Sequence, residues 1–216
     1  TNNIVGQYIS IYSDKSFLIL IALSGIVLSI INSYAIVAPF IIQIEMGLSP
    51  VFFGWLSFYG SACQFSSRLV SPKFIRQHGA SITHLKSWYI LMLAGVIMST
   101  QIVFKPFMDI VVVQANDLNI TLGIIIFTIG LSLALISMHF IIPFIISEAL
   151  SNTRQNKGIT GAAYSAGGMF VSFIITSLLA ALPFEGAGTL GIFYLTLSII
   201  GSKTSNYYHK SIYLPL

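Results

Sequence analysis

Residues 119–147 read NITLGIIIFTIGLSLALISMHFIIPFIIS, an apolar run without a single Asp, Glu, Lys or Arg. A helix needs ~20 such residues to cross a hydrocarbon core, so this stretch already commits the chain to lipid. The run is continuous rather than alternating and too long for a barrel strand, which makes it an α-helix that satisfies its own backbone hydrogen bonds. Five more runs of the same kind lie at 16–42, 50–72, 87–104, 158–182 and 187–202. The expected fold is therefore an all-α membrane protein with six transmembrane helices. Residues 1–15 are expected to be a cytoplasmic amino-terminal or linker segment, 16–202 the membrane domain and 203–216 a cytoplasmic tail. The first and fourth runs exceed the bilayer thickness and should tilt, kink or project, with Pro39 and Pro143 as kink points.

Composition agrees. The 216 residues are 56% hydrophobic and only 7% charged, whereas an ordinary soluble domain carries about 25% charged residues. That leaves too few charges to coat a water-facing surface, which excludes a soluble enzyme, a disordered chain and a nucleic-acid binder. The net charge of +4 does not restore the last, because its basic residues are scattered between apolar runs. The single cysteine, Cys63, excludes an internal disulfide. The first run is longer than a signal-peptide core and no small-residue cleavage site follows it, so it reads as a span.

The loops set an orientation. Lys15, Arg68, Lys73, Arg76, Lys86, Arg154, Lys157, Lys203 and Lys210 all fall on one side of the six-run threading. The other side has only Lys105, with Glu45, Asp109, Asp117 and Glu185. Basic residues stay on the cytoplasmic side, so both termini are expected there.

Within a span, small and polar residues are more informative than apolar ones, since lipid and protein interior are equally greasy. Gly54, Ser57, Ser61, Gln64 and Arg68 are spaced 3, 4, 3 and 4 and share one helical face. Gly161, Ser165, Gly168, Ser172 and Thr176 form a second such stripe. Thr128, Ser132, His139 and Pro143 share a face of the fourth run, and Gly25, Ser29 and Asn32 of the first. The third and sixth runs lack a comparable stripe. Runs one, two, four and five are therefore expected to face the interior, and three and six the lipid. Such stripes either let backbones pack closely or line a wet cavity.

His139 is the one ionisable residue well inside a predicted run, where its cost makes it a functional candidate. Imidazole titrates near physiological pH, which suits a proton- or cation-sensing group; a neutral ring bonded to a neighbouring helix is the other reading. Asn32 and Gln64 are amides of the same two-fold kind, and Tyr34 and Tyr164 either line a cavity or pack. Arg68 either snorkels to the surface or pairs with a carboxylate such as Glu148. Gly186-Ala-Gly-Thr-Leu-Gly191 has the spacing of a dinucleotide fingerprint. It opens a membrane run rather than following a strand, and no acidic residue follows at the required distance, so it reads as a tight turn. Asn119-Ile-Thr121 matches the glycosylation pattern by chance at a membrane edge. No metal-ligand spacing occurs, and Ser165 with His139 is only a loose counterpart of an intramembrane serine protease.

Several segments carry a family resemblance in order along residues 16–202. Ser33-Tyr-Ala-Ile-Val-Ala-Pro-Phe-Ile41 with Gly47-Leu-Ser-Pro-Val-Phe-Phe-Gly54 resembles the seventh helix and following loop of drug efflux proteins in the bicyclomycin-resistance branch of the major facilitator superfamily. Lys73-Phe-Ile-Arg-Gln-His-Gly79 resembles the basic loop after their eighth helix. Gly130-Leu-Ser-Leu-Ala-Leu135 resembles their tenth, and Lys157-Gly-Ile-Thr-Gly-Ala-Ala-Tyr-Ser-Ala166 the start of their eleventh.

The resemblance implies the carboxyl-terminal six-helix half of a twelve-helix carrier, a 3+3 inverted repeat that rocks against the other half. It implies efflux of small amphipathic solutes in exchange for protons across a bacterial inner membrane. It also implies a partner, an amino-terminal half or a second copy of this chain. The substrate-cavity candidates are Asn32, Tyr34, Gln64, His139 and Tyr164; those for the cytoplasmic loop and gate are Arg68, Lys73, Arg76, Gly79 and Glu148. No enzyme activity, cofactor or metal is expected, beyond the proton coupling that the family implies. A six-helix scaffold subunit and an intramembrane protease are the competing readings.

Overall fold

The computed structural model describes residues 4–111, 116–151, 157–181 and 186–213, which form helices and no strands. A short helix α1 (Ile4–Tyr12) precedes α2 (Lys15–Phe40), which widens into a π-helical turn over Ile41–Glu45. Then come α3 (Pro50–His78), α4 (Ala80–Val111), α5 (Asn116–Ser151), α6 (Lys157–Ala181) and α7 (Ala187–Tyr213).

Local chemistry sets the ends. Asp14 caps α2, its carboxylate accepting from Ser16 N at 2.9 Å. Ser49 caps α3 by accepting from Phe52 N at 3.2 Å, and Pro50 follows where its missing N–H costs nothing. Pro39 removes one backbone donor near the end of α2. Directly beyond it the ladder loosens, with Met46 N donating five residues back to Ile41 O at 2.9 Å. Gly47, at φ 65°, then turns the chain, and Leu48 N closes the helix end onto Ile42 O at 2.9 Å.

Four helical segments are long and apolar enough to cross a membrane: Lys15–Glu45, Ala80–Val103, Ile120–Ser151 and Lys157–Ala181. This is the architecture of an integral membrane protein. The expected tally of six differs in two ways. Among the described residues there are seven helices, because α1 folds as nine helical residues, too short to span. In addition α3 and α7, of 29 and 27 residues, are long enough but less apolar. The reason lies in their polar ends, where α3 carries Arg68, Lys73 and Arg76 and α7 carries its last eleven residues, from Lys203 to Tyr213.

The segments expected as a basic loop and a tail are helical. Lys73 and Arg76 lie in the last turns of α3, Lys86 in the second turn of α4, and Gly79 alone separates the two helices, at φ 84°. Hydropathy falls where a helix leaves lipid, but backbone hydrogen bonding does not stop there. Of the residues used for orientation, Arg154 and Glu185, with the side chains of Lys105, Asp109 and Asp117, lie outside the described residues, as does the Asn119 side chain.

The core corrects the expected placement of the third and sixth runs. Helices α4 and α7 do carry buried stripes and pack tightly on each other. On α4 the stripe is His84, Trp88, Leu91, Ala94 and Met98; on α7 it is Leu190, Tyr194, Ser198 and Ser205, all fully buried. Glycine makes the approach possible. A Cβ on Gly95 would lie 2.5 Å from Leu195 N, and one on Gly191 would collide with Met98 and Ser99. Gly188 and Gly191, from the fingerprint-like motif, are thus packing residues against α4, while Gly186 makes the turn at φ 98°. The stripe escaped notice because it mixes aromatic and aliphatic residues with small ones.

Helices α2 and α6 form a second close pair. Gly168 receives Ser24, and Gly167 receives Ile21 at 2.9 Å from where its Cβ would stand. Gly25 and Ser29 of the α2 stripe and Gly168, Ser172 and Thr176 of the α6 stripe are buried and act as packing surfaces, whereas Gly161 and Ser165 lie at open positions. The α3 stripe behaves differently: only Leu56, Gly60, Ser67 and Ser71 of that helix are buried.

Candidate functional site

The α3 stripe forms an open polar face. Gly54, Ser61 and Arg68 are exposed, while Ser57 and Gln64 are half-buried. A Cβ on Gly54 would meet nothing within 4 Å. Three side-chain pairs join α3 to its neighbours, the first and third from this face. Tyr34 from α2 places its hydroxyl 3.5 Å from Ser57 Oγ. Tyr59 reaches Ser132 of α5 at 3.0 Å. His139 Nε2 lies 3.4 Å from Gln64 Oε1.

The last pair fixes a tautomer. A carboxamide oxygen only accepts, so His139 carries its proton on Nε2 and donates to Gln64. The Gln64 amide nitrogen keeps both its hydrogens. Arg68, one turn further along α3, is close enough for its charge to act on the His139 ring. The structure thus brings Gln64, Arg68 and His139 together.

The other cavity candidates sit apart. Asn32 is two residues from Tyr34 and so about 200° away around the helix. It faces α6, where its Nδ2 donates to Ser172 Oγ at 2.9 Å. Tyr164 of α6 is half-buried and packs against the core. Near the far ends of this helix pair an apolar groove of about 280 Å³ lies between Ile36, Val37, Phe40, Thr176, Leu179 and Ala180. It contains one polar side chain, Thr176, whose hydroxyl already donates to Ser172 O at 2.8 Å.

The gate candidates also divide. Lys73 and Arg76 are exposed, with Arg76 Nε donating to Pro72 O at 3.4 Å. Glu148 does not pair with Arg68; its carboxylate accepts from Tyr208 of α7 at 3.0 Å. The His139 ring turns to Gln64 rather than to Ser165, so the serine–histidine pair of a protease does not form.

One polar cluster was not foreseen. His84 falls just before the third apolar run, yet it is fully buried between α4, α5 and α7. Trp88 Nε1–H donates to its Nε2 at 3.4 Å, Ser205 Oγ bonds the same nitrogen, and Nδ1 faces Ile141 O at 3.4 Å. Indole N–H only donates, so Nε2 is the acceptor and Nδ1 holds the proton. Phe144 and the two imidazoles form a triangle of tilted rings, with Phe144 4.4 Å from His84 and 5.1 Å from His209, and the imidazoles 5.9 Å from each other. His209 also meets Ser81 Oγ, with Nδ1 at 3.1 Å. This cluster ties α4, α5 and α7 together at one end. The signal was present in the spacing of His84, Trp88, Leu91, Gly95 and Met98, which is helical throughout.

Among the described residues no three His, Cys, Asp or Glu side chains are grouped to hold a metal.

No family model matches the chain, and no solved structure matches it. It is similar to an uncharacterized transporter of Rickettsia bellii (strain RML369-C), 22% identical over 200 residues. The match covers 93% of this chain and 48% of that protein, so the chain spans about half the length of the curated relative it matches.

Proposed function

We propose that this chain is the carboxyl-terminal half of a secondary transporter of the major facilitator kind. In this reading the apolar stretches of α2 to α7 are six spans, with the end of α7 from Lys203 onward and both termini cytoplasmic, and α1 is a surface helix leading into them. An amino-terminal half, or a second copy of the chain, covers the open face of α3. Rocking of the two halves moves a small amphipathic solute across a bacterial inner membrane, with proton antiport supplied through the other half. The chain itself catalyses no reaction.

The observation that carries this reading is the polar face of α3, left open in a chain that matches half of a transporter. Serines, an amide and an arginine facing acyl chains are costly, so a partner or a water-filled cavity belongs against them. Tyr34, Gln64 and His139 would then line the pathway, while Asn32 and Tyr164 hold the α2–α6 pair beside it. Lys73, Arg76 and Gly79 would form the cytoplasmic turn that moves with α3 and α4.

The test is flux. Vesicles carrying the product of the full reading frame are loaded with a fluorescent amphipathic dye, and a proton gradient is imposed. Gradient-driven dye movement that falls with Gln64→Leu is expected. Gradient-independent dye movement, or none, from correctly inserted protein overturns the proposal. A stable complex with an unrelated membrane assembly, without flux, would favour the scaffold reading.

A further inference from the structure

The open face of α3 carries cationic and neutral donors and lacks acceptors of negative charge. Arg68 presents five N–H donors, and the Gln64 amide presents two more one turn away, about 6 Å along the axis. His139 orients that amide by occupying its oxygen. Among the described residues Arg68 has no carboxylate partner, and the acids with described side chains are engaged elsewhere. Asp14 caps α2, Glu148 accepts from Tyr208, and Glu45 packs against Gly186 at the start of α7. Beside the donors stand large apolar side chains, Phe65 and Leu69, both about two-thirds exposed. A guanidinium attracts an anion and repels a cation, and the fork of Arg matches a planar or tetrahedral oxyanion.

Resting on the transport reading above, we propose that Arg68 and Gln64 form the head-group site for an anionic amphipathic solute, a carboxylate or sulfonate with an apolar body. Lipophilic cations are disfavoured there. The Arg68 fork binds the oxyanion, the Gln64 amide adds a further donor, and Phe65 and Leu69 lie against the apolar part. An anionic phospholipid offers the same chemistry through its phosphate, and the experiment separates the two.

The full chain is placed in phosphatidylcholine nanodiscs and titrated with 8-anilinonaphthalene-1-sulfonate, with rhodamine 6G as the cationic counterpart and empty nanodiscs as background. Saturable binding of the sulfonate is expected, weakened about tenfold or more by Arg68→Gln. Arg68→Lys, which keeps charge without the fork, should recover part of the affinity, and Gln64→Leu should lose part of it. Those two variants keep the test sharp if Arg68→Gln disturbs folding. Sulfonate affinity unchanged in all three variants overturns the assignment, as does tighter binding of rhodamine 6G. Competitive loss of the sulfonate on adding phosphatidylglycerol makes this a lipid site and overturns the solute assignment. Binding of neither probe sinks the solute cavity altogether, whereas sulfonate binding without flux leaves this site standing and counts only against transport.

Discussion

Gly95→Ala sets two effects of opposite sign against each other. In an isolated helix, alanine is more favourable than glycine by about 1 kcal/mol. At this position, however, the new methyl would lie 2.5 Å from Leu195 N, 2.8 Å from Leu195 Cα and 2.9 Å from Gly191 O. Ordinary contacts of this kind fall at 3.4–4 Å, so α4 and α7 must separate by about 1 Å. The obstructing atoms are backbone, which cannot rotate away as a side-chain tip can. A gap of that size forfeits roughly a quarter to a half of the dispersion energy across the affected contacts. Overpacking of this type costs about 1–3 kcal/mol, which outweighs the propensity gain. Gly161 is the control, because a Cβ there meets nothing within 4 Å. Gly161→Ala should therefore be neutral or stabilising by up to ~1 kcal/mol, and Gly95→Ala destabilising by up to ~2 kcal/mol once the propensity gain is subtracted. Thermal unfolding in detergent, followed by far-ultraviolet circular dichroism, separates them, since ~1 kcal/mol shifts the midpoint by about 2–4 °C in a chain of this size. If Gly95→Ala unfolds at the same temperature as Gly161→Ala, the close backbone contact between α4 and α7 is refuted.

Three further outcomes are expected. His84→Phe fills the space but leaves the Trp88 N–H without its acceptor, so it should cost about 1–3 kcal/mol in the same unfolding assay; an unchanged midpoint would remove the buried cluster from the account. His209 lies beyond the last apolar run, and burial holds its imidazole below the ordinary value, against an opposing pull from Glu148. The folded chain then binds fewer protons than the unfolded one, so stability should fall as pH drops through about 6.5, with His209→Gln flattening that slope. In a Cys63→Ser background, the exposed Gln77 replaced by cysteine should react with an impermeant maleimide from the cytoplasmic side only; labelling from outside intact cells would invert the proposed topology.

Much of the helical skeleton was legible along the chain. The runs predicted at 16–42, 119–147 and 158–182 correspond to α2 with its π-helical turn, α5 and α6. A helix in lipid must close its own hydrogen bonds, so apolar length alone locates it. Ends were read less well, because α3, α4 and α7 stay helical through polar residues such as Lys73, Lys86 and Lys203. The candidate site was legible in its spacing. Gln64 and Arg68 on one face, and His139 deep in its helix, emerged from periodicity and from the cost of burying an imidazole. That Gln64 meets His139, whereas Asn32 turns to Ser172, did not, since periodicity places a residue on its own helix and says nothing of the facing one.

Composition and periodicity thus determined that this chain inhabits a bilayer, that it is helical, and which faces carry its small and polar groups. All three follow from local quantities, the apolar length of a segment and the angle between residues around one axis. Tertiary structure decided which helices touch. It joined α4 to α7 through Gly95 and Gly191 and buried His84 with Ser205, 121 positions apart. It also used Gly25 of the α2 stripe and Gly168 and Ser172 of the α6 stripe as contacts while leaving most of the stripe on α3 open. A glycine stripe has the same sequence whether a neighbour fills it or a cavity lies against it, and only the position of a second backbone distinguishes the two.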